Sequence, residues 1–201
     1  IIDLVASTEV FMPHFHIPLQ HGSDRILKLM RRRYTAKDFY NLIYSIKKSI
    51  PEAFIANDVI VGFPGESDND FDEMYALLKD LPIAYLHVFP YSDRPLAKSF
   101  NFDDKIPPEI KKQRSAALIN LSNQKHEDFC KNYLNKKANV LWEAKNEDGF
   151  IGGYTENYIR VFSKFDEKLI NKISKVRLEK VENKRIIAKI YFIYFSYYSY
   201  F

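Results

Sequence analysis

The run Asp58-Val59-Ile60-Val61-Gly62-Phe63-Pro64-Gly65-Glu66 decides how the rest of the chain is read. Its body is apolar and β-branched with no polar alternation, the pattern of a strand covered on both faces in a parallel sheet. Gly62, Pro64 and Gly65 then end it abruptly. Helical periodicity lies on either side. Ahead, Thr35 and Asp38 have capping-box spacing, and Phe39, Leu42, Ile43, Ile46 and Ile50 form one apolar face. Behind, Ser67-Asp68-Asn69-Asp70 opens a second helix with Phe71, Met74, Tyr75 and Leu78 as its inner stripe. His14 to Gln20 and Leu86 to Tyr91 read as further strands, so the segment is a β-α-β-α-β succession with a parallel sheet. Ligands of such sheets meet the carboxyl ends of the strands. Two glycines and an acid at that end suit a small ligand lying on bare backbone, and a ligand-free tight turn accounts for the same residues.

The 201 residues, 46% hydrophobic, suffice for a partial α/β layer and a small extra domain. Residues 131 to 190 hold 14 basic and 8 acidic side chains, against 16 and 18 in the first 130. A local cationic excess of that kind points to a polyanion. Cys130 is the only cysteine, so a disulfide framework and a thiolate set for zinc or iron-sulfur are both excluded, and a small core residue is expected there. Ile1-Ile2-Asp3-Leu4 has no basic signal region and no start methionine, so the chain reads as a piece of something longer. No apolar run has the length of a membrane span, and a cytoplasmic setting is the simplest expectation.

In chain order, residues 1 to 9 read as a helix tail. His14, His16 and His21 lie close together, but no carboxylate or thiolate stands at ligand spacing, and no metal site is expected. Ser23 or Asp24 is placed to cap a short helix from Arg25 to Met30, and Arg31-Arg32-Arg33 closes it with charge that also offers a fork for a carboxylate. Pro107-Pro108-Glu109 starts a long helix to about Asn135, with Lys111, Lys112 and Arg114 read as solvated. From Lys137 onward the texture changes to about five short strand-like runs, Tyr158 to Phe162 among them, separated by turn signals, which suits a small OB-like barrel. Tyr154, Tyr158, Arg160, Lys175 and Arg177 are the side chains such a barrel would offer to single-stranded nucleic acid. Aromatic residues at strand spacing also serve as core. Tyr191 to Phe201, almost wholly aromatic and uncharged, is a tail of no assigned structure and an aggregation hazard.

These residues are recognisable. His16-Ile17-Pro18-Leu19-Gln20-His21-Gly22-Ser23, Met30-Arg31-Arg32-Arg33-Tyr34, Asp58 to Glu66 and His87-Val88-Phe89-Pro90-Tyr91-Ser92 resemble the second half of the radical S-adenosylmethionine domain of the methylthiotransferase family. Gly153-Tyr154-Thr155-Glu156-Asn157-Tyr158-Ile159-Arg160-Val161 is similar to the TRAM barrel that follows it. Two positions depart from the family pattern: His21 stands where Gln-Ser-Gly-Ser has its first serine, and Arg94-Pro95-Leu96-Ala97 replaces Arg-x-Gly-Thr. The resemblance implies an α/β fold, with the C-terminal half of a partial radical S-adenosylmethionine barrel over residues 1–126, a five-stranded OB-like TRAM barrel over 127–190, and the aromatic tail over 191–201. It implies S-adenosylmethionine as cofactor, with Gln20, Ser23, Arg31, Arg32 and Arg33 near its methionine and ribose, and Val61, Gly62, Phe89 and Pro90 near its adenine. It implies tRNA as partner and two 4Fe-4S clusters in the full-length parent. The cluster cysteines are absent here, and a fragment without them is expected to be catalytically silent.

Among the family's branches, the strand His87 to Ser92 and the segment Gly153 to Val161 most resemble the one that attaches a methylthio group to threonylcarbamoyladenosine beside the tRNA anticodon. The isopentenyladenosine branch, the ribosomal-protein branch and a non-catalytic RNA-binding module stand as alternatives. The basic excess beyond residue 130 weighs against the ribosomal-protein branch.

Overall fold

The computed structural model describes residues 1–8, 10–182 and 185–194, the side chains of 145–147 and 192–194 apart. Two compact units emerge, one of Ile1–Thr8 with Phe15–Glu127, the other of Glu9–His14 with Asp128–Phe201.

The first unit carries a three-stranded sheet in the order β1-β2-β3, with β1 at His14–His16, β2 at Phe54–Val61 and β3 at Tyr85–Pro90. β2 and β3 run parallel with Asp58 opposite His87 and Val61 opposite Pro90. Beyond β1 the chain stays against β2 through a parallel bridge between Gln20 and Val59. The parallel succession expected from the sequence is therefore present. Helix α1 spans Ile2–Ser7, α2 Asp24–Leu29, α3 Ala36–Ser49, α4 Asp68–Asp80 and α5 Pro108–Lys131. Thr35 and Ser67 each close a capping box, with Asp38 and Asp70 as the returning acids, which satisfies the first free N–H groups of α3 and α4. Alternation along β2 sends Ile55, Val59 and Val61 into a core with Phe39, Ile43 and Ile46 of α3 and Met74 and Leu78 of α4. Asp58 and Ile60 point to the opposite face. On β3 the free edge is met by α5: the Ser122 hydroxyl accepts the Leu86 N–H at 2.9 Å and donates to the Leu86 carbonyl at 3.1 Å.

In the second unit, β4 (Lys137–Glu147), β5 (Phe150–Thr155), β6 (Arg160–Lys164), β7 (Ile173–Glu182) and β8 (Arg185–Tyr194) close on themselves in the order β4-β5-β6-β8-β7. All neighbours are antiparallel except β6 and β8, whose parallel pairing completes the circuit. Trp142 fills the centre, fully buried among Val140, Ile151, Val161, Val176 and Leu178, and Cys130 joins this core as the sequence suggested. Gly153 is required beside it, because a Cβ there would collide with the Leu141 carbonyl and press on the indole.

Details differ from the sequence reading. α5 ends at Lys131, short of Asn135. Tyr158, expected to begin a strand, sits in a turn at φ 64°. The tail expected from Tyr191 begins as a continuation of β8 through Tyr194, while 195–201 lie outside the described residues.

Candidate functional site

Parallel strands put all their carboxyl ends on one edge, and that edge of the first unit gathers Gln20, Val61, Gly62, Phe89 and Pro90. Gln20 takes a left-handed backbone at φ 69°; its N–H donates to the Asp58 carbonyl and its carbonyl accepts the Ile60 N–H, each at 2.8 Å. Its side-chain oxygen accepts from Arg32 at 3.0 Å, so one member of the arginine cluster is tied to the strand edge. Arg31 and Arg33 are exposed.

Val61 and Gly62 are buried, and the Val61 carbonyl and the Gly62 N–H are occupied. The Val61 carbonyl accepts the Tyr91 N–H at 2.8 Å. Gly62 and Phe63 donate their N–H groups to one Glu66 carboxylate oxygen, at 2.6 and 3.1 Å. Gly62 sits at φ 73°, and the aliphatic chain of Lys111 occupies the place where a Cβ would project. The Lys111 ammonium donates to the Tyr91 carbonyl at 3.2 Å.

Ser23 faces inward. It is the N-cap residue of α2, yet its hydroxyl donates to Asp70 at 2.8 Å, while Asp24 accepts the Ala36 N–H of the next helix. Asp70 also accepts from Arg25, from the Ser67 N–H at 2.8 Å and from the Ser67 hydroxyl. Burial by itself would raise the Asp70 carboxyl, but the bonds from Arg25, Ser67 and Ser23 outweigh it and hold the group well below the usual carboxylate range.

Arg114 corrects the sequence reading outright. It is buried, donating to Glu66 at 2.7 Å and to Asp68 at 2.6 Å, so it is a structural cation and not a solvated one. The three histidines also part company. His21 is buried beside Glu66, His14 packs its ring 4.2 Å from that of Tyr158, and His16 bonds Asp58 at 2.6 Å. A cleft of about 450 Å³ opens between β3 and α5, lined by Val88, Pro90, Pro108, Lys111, Lys112 and Ile119 among others; of the expected cofactor residues, only Pro90 reaches it.

On the barrel, the five expected residues share the outer face. Ser174, Val176 and Leu178 of β7 point inward, so Lys175 and Arg177 point out. Register sets Lys175 against Asn139, and Arg177 between Lys137 on one side and Lys189 on the other. Lys137 and Lys189 are exposed too, and this cross-strand row of cations was not singled out from sequence. Along the same face, Tyr154 stacks on Tyr158 with ring centroids 4.8 Å apart, and Arg160 lies over Tyr154 at 5.8 Å.

Comparison with known proteins gives these edges a context. The family model of the radical SAM superfamily matches residues 1–78. Threonylcarbamoyladenosine tRNA methylthiotransferase MtaB of Aquifex aeolicus (strain VF5) is 42% identical over 161 residues, 80% of this chain and 38% of that protein. The protein of the same name from Bacillus subtilis (strain 168) is 35% identical over 90% of this chain and 41% of its own length. The chain belongs to the radical SAM methylthiotransferase family. A third family member, tRNA-2-methylthio-N(6)-dimethylallyladenosine synthase of Thermosipho africanus (strain TCF52B), is 38% identical over 88% of this chain and 41% of its own length. The chain thus spans about two fifths of the length of the curated methylthiotransferases it matches. Among solved structures, the archaeal Methanocaldococcus infernus Elp3 with N-terminus deletion is similar at a TM-score of 0.44 and 11% identity, over 91% of this chain and 56% of that one. No helix among the described residues is long and apolar enough to cross a membrane.

Proposed function

We propose that the chain is the C-terminal half of a radical S-adenosylmethionine barrel with a TRAM-type RNA-gripping barrel, from a cytoplasmic enzyme that methylthiolates N6-threonylcarbamoyladenosine beside the tRNA anticodon. The observation that carries the reading is the parallel sheet whose carboxyl edge brings Gln20, Arg32, Gly62 and Phe89 together. The choice of branch rests on the two relatives named for threonylcarbamoyladenosine and on the His87-to-Ser92 strand.

The donor set at that edge fits S-adenosylmethionine in part. Arg31, Arg32 and Arg33 are accessible guanidiniums suited to the methionine carboxylate, and Arg32 is already oriented by Gln20. Phe89, half exposed at the end of β3, offers a ring face to an adenine. Val61 and Gly62 shape the floor beneath it, since the Val61 carbonyl and the Gly62 N–H are already bonded. Ser23 serves the scaffold through Asp70. When bound, the cofactor supplies hydrogen-abstraction chemistry at the nucleoside, while this chain's residues orient it and exclude water. A cluster does not fit the residues present, because Cys130 is a single thiol buried in the barrel core.

Nucleoside mass spectrometry of tRNA from a strain lacking the parent gene tests the reading. Loss of the methylthio form of threonylcarbamoyladenosine is expected; its persistence overturns the choice. Binding of S-adenosylmethionine to the full-length protein separates an enzyme from a pure RNA-binding module, which would show none.

A further inference from the structure

We infer that His16, Asp58 and His87 form a binding site for a divalent transition-metal ion of the zinc or cobalt type. Each residue comes from a different strand of the parallel sheet, and the strand register sets them side by side: Asp58 of β2 stands opposite His87 of β3, with β1 on the other flank. Their nearest donor atoms all lie within 4.8 Å of one another, close enough to converge on one ion. His16 Nε2 stands 2.6 Å from Asp58 Oδ1, and the His16 and His87 rings lie 4.9 Å apart, tilted by 36°.

Alternation places all three on the face opposite Ile55, Val59 and Val61, so the ligands project from a rigid sheet and not from a loop. Two imidazoles and one carboxylate select the borderline-soft ions and disfavour Mg²⁺ and Ca²⁺, which need more oxygen donors. Three protein ligands leave a fourth position for water or a ligand oxygen or nitrogen, which is the donor count of an open site and not of a closed structural one. The His87 ring is held edge-on by Tyr85 at 4.9 Å, which fixes its plane. None of the residues assigned to the cofactor edge or the cationic barrel face takes part.

The whole chain, stripped with chelator, is titrated with Zn²⁺ by calorimetry and with Co²⁺ by visible absorption. One equivalent should bind with micromolar affinity, and the Co²⁺ bands should have the intensity of a four- or five-coordinate site. His87→Phe keeps the ring contact with Tyr85 while removing the donor atoms, and His16→Gln and Asp58→Asn remove the others one at a time. Each should weaken binding by more than about 100-fold, beyond the cost of losing an outer-shell partner. Far-UV circular dichroism checks that each variant is folded, and a Zn²⁺-dependent rise in the melting temperature of the unsubstituted chain reads the same binding without any substitution. Absence of stoichiometric binding, or affinity unchanged in His87→Phe, overturns the site and leaves only a hydrogen bond between His16 and Asp58.

Discussion

The cationic row on the barrel makes a quantitative claim about RNA. Lys137, Lys175, Arg177 and Lys189 occupy adjacent exposed positions on β4, β7 and β8, and Arg177 stands in register between Lys137 and Lys189. If each neutralises one phosphate of a single-stranded loop, the slope of log K against log salt is about −0.7 per contact, or about −2.8 for four. Raising KCl from about 50 to about 200 mM then weakens binding roughly 50-fold. Replacing Lys175 and Arg177 by alanine should bring the slope to about −1.4 and the salt penalty to roughly sevenfold. Both side chains are exposed, and the alternating inner residues Ser174, Val176 and Leu178 stay in place, so the barrel should melt as before. The assay is fluorescence anisotropy of a labelled anticodon stem-loop across that salt range. Tyr158→Ala is the complementary variant: its half-exposed ring stacks on Tyr154, and losing a base platform costs about 1–3 kcal/mol at every salt concentration with the slope unaltered. An unchanged slope in the double alanine variant would show that RNA does not lie along this row.

Three other outcomes follow from the first unit. Glu66→Gln keeps an acceptor for the Gly62 and Phe63 N–H groups but breaks the buried pair with Arg114; a loss of about 3 kcal/mol in the urea midpoint is expected, at the low end for a buried pair because Asp68 still holds the guanidinium, and a loss under about 1 kcal/mol refutes the assignment. Asp70 is held below its ordinary value, so its contribution is full above the unfolded carboxyl value of about 3.9 and is lost as pH falls through the lower folded value. Asp70→Asn should therefore flatten the acid limb of a stability-pH profile, and an identical limb in both proteins would refute this. Gly62→Ala forces a side chain into left-handed backbone, at about 1–2 kcal/mol, and onto Lys111 as well; adding Lys111→Ala should recover the collision part of the loss and no more, as read by thermal melting.

Periodicity made the scaffold legible and long-range pairing hid the chemistry. β2 could be read because an apolar run ending in Gly-Phe-Pro-Gly has few other homes, and α3 and α4 because their capping boxes are local in sequence. The outward placement of Lys175 and Arg177 was readable for the same reason, since β7 alternates strictly around them. Arg114 was misread because its partners, Glu66 and Asp68, are 48 and 46 residues away, and nothing within its own helix indicates burial. Asp58 was read as part of a strand and His16 as one of three neighbouring histidines. Only register shows that the carboxylate missing from the metal reading comes from the next strand. Tyr158 misled in the opposite way: a tyrosine is a strand former by propensity, yet the corner before β6 holds it in left-handed backbone.

The departure at His21 ties these points together. In place of the family's serine, a fully buried imidazole accepts the Ser23 N–H at Nδ1, 3.0 Å away, which leaves the ring proton on Nε2. That nitrogen faces the same Glu66 oxygen that receives the Gly62 and Phe63 N–H groups, at 3.4 Å, an electrostatic contact longer than a full hydrogen bond. The other Glu66 oxygen takes Arg114. One carboxylate thereby joins the turn after β1, the turn after β2 and the helix α5, and each N–H of the Gly-Phe-Pro-Gly corner is bonded inside the protein, that of Gly65 to the Asp104 carbonyl. A loop whose N–H groups are bonded in this way keeps its shape without a ligand, so the carboxyl edge of the sheet is preorganised, and on the proposed reading affinity for S-adenosylmethionine would come from the exposed groups Arg31 to Arg33 and Phe89 and not from folding the corner around its guest.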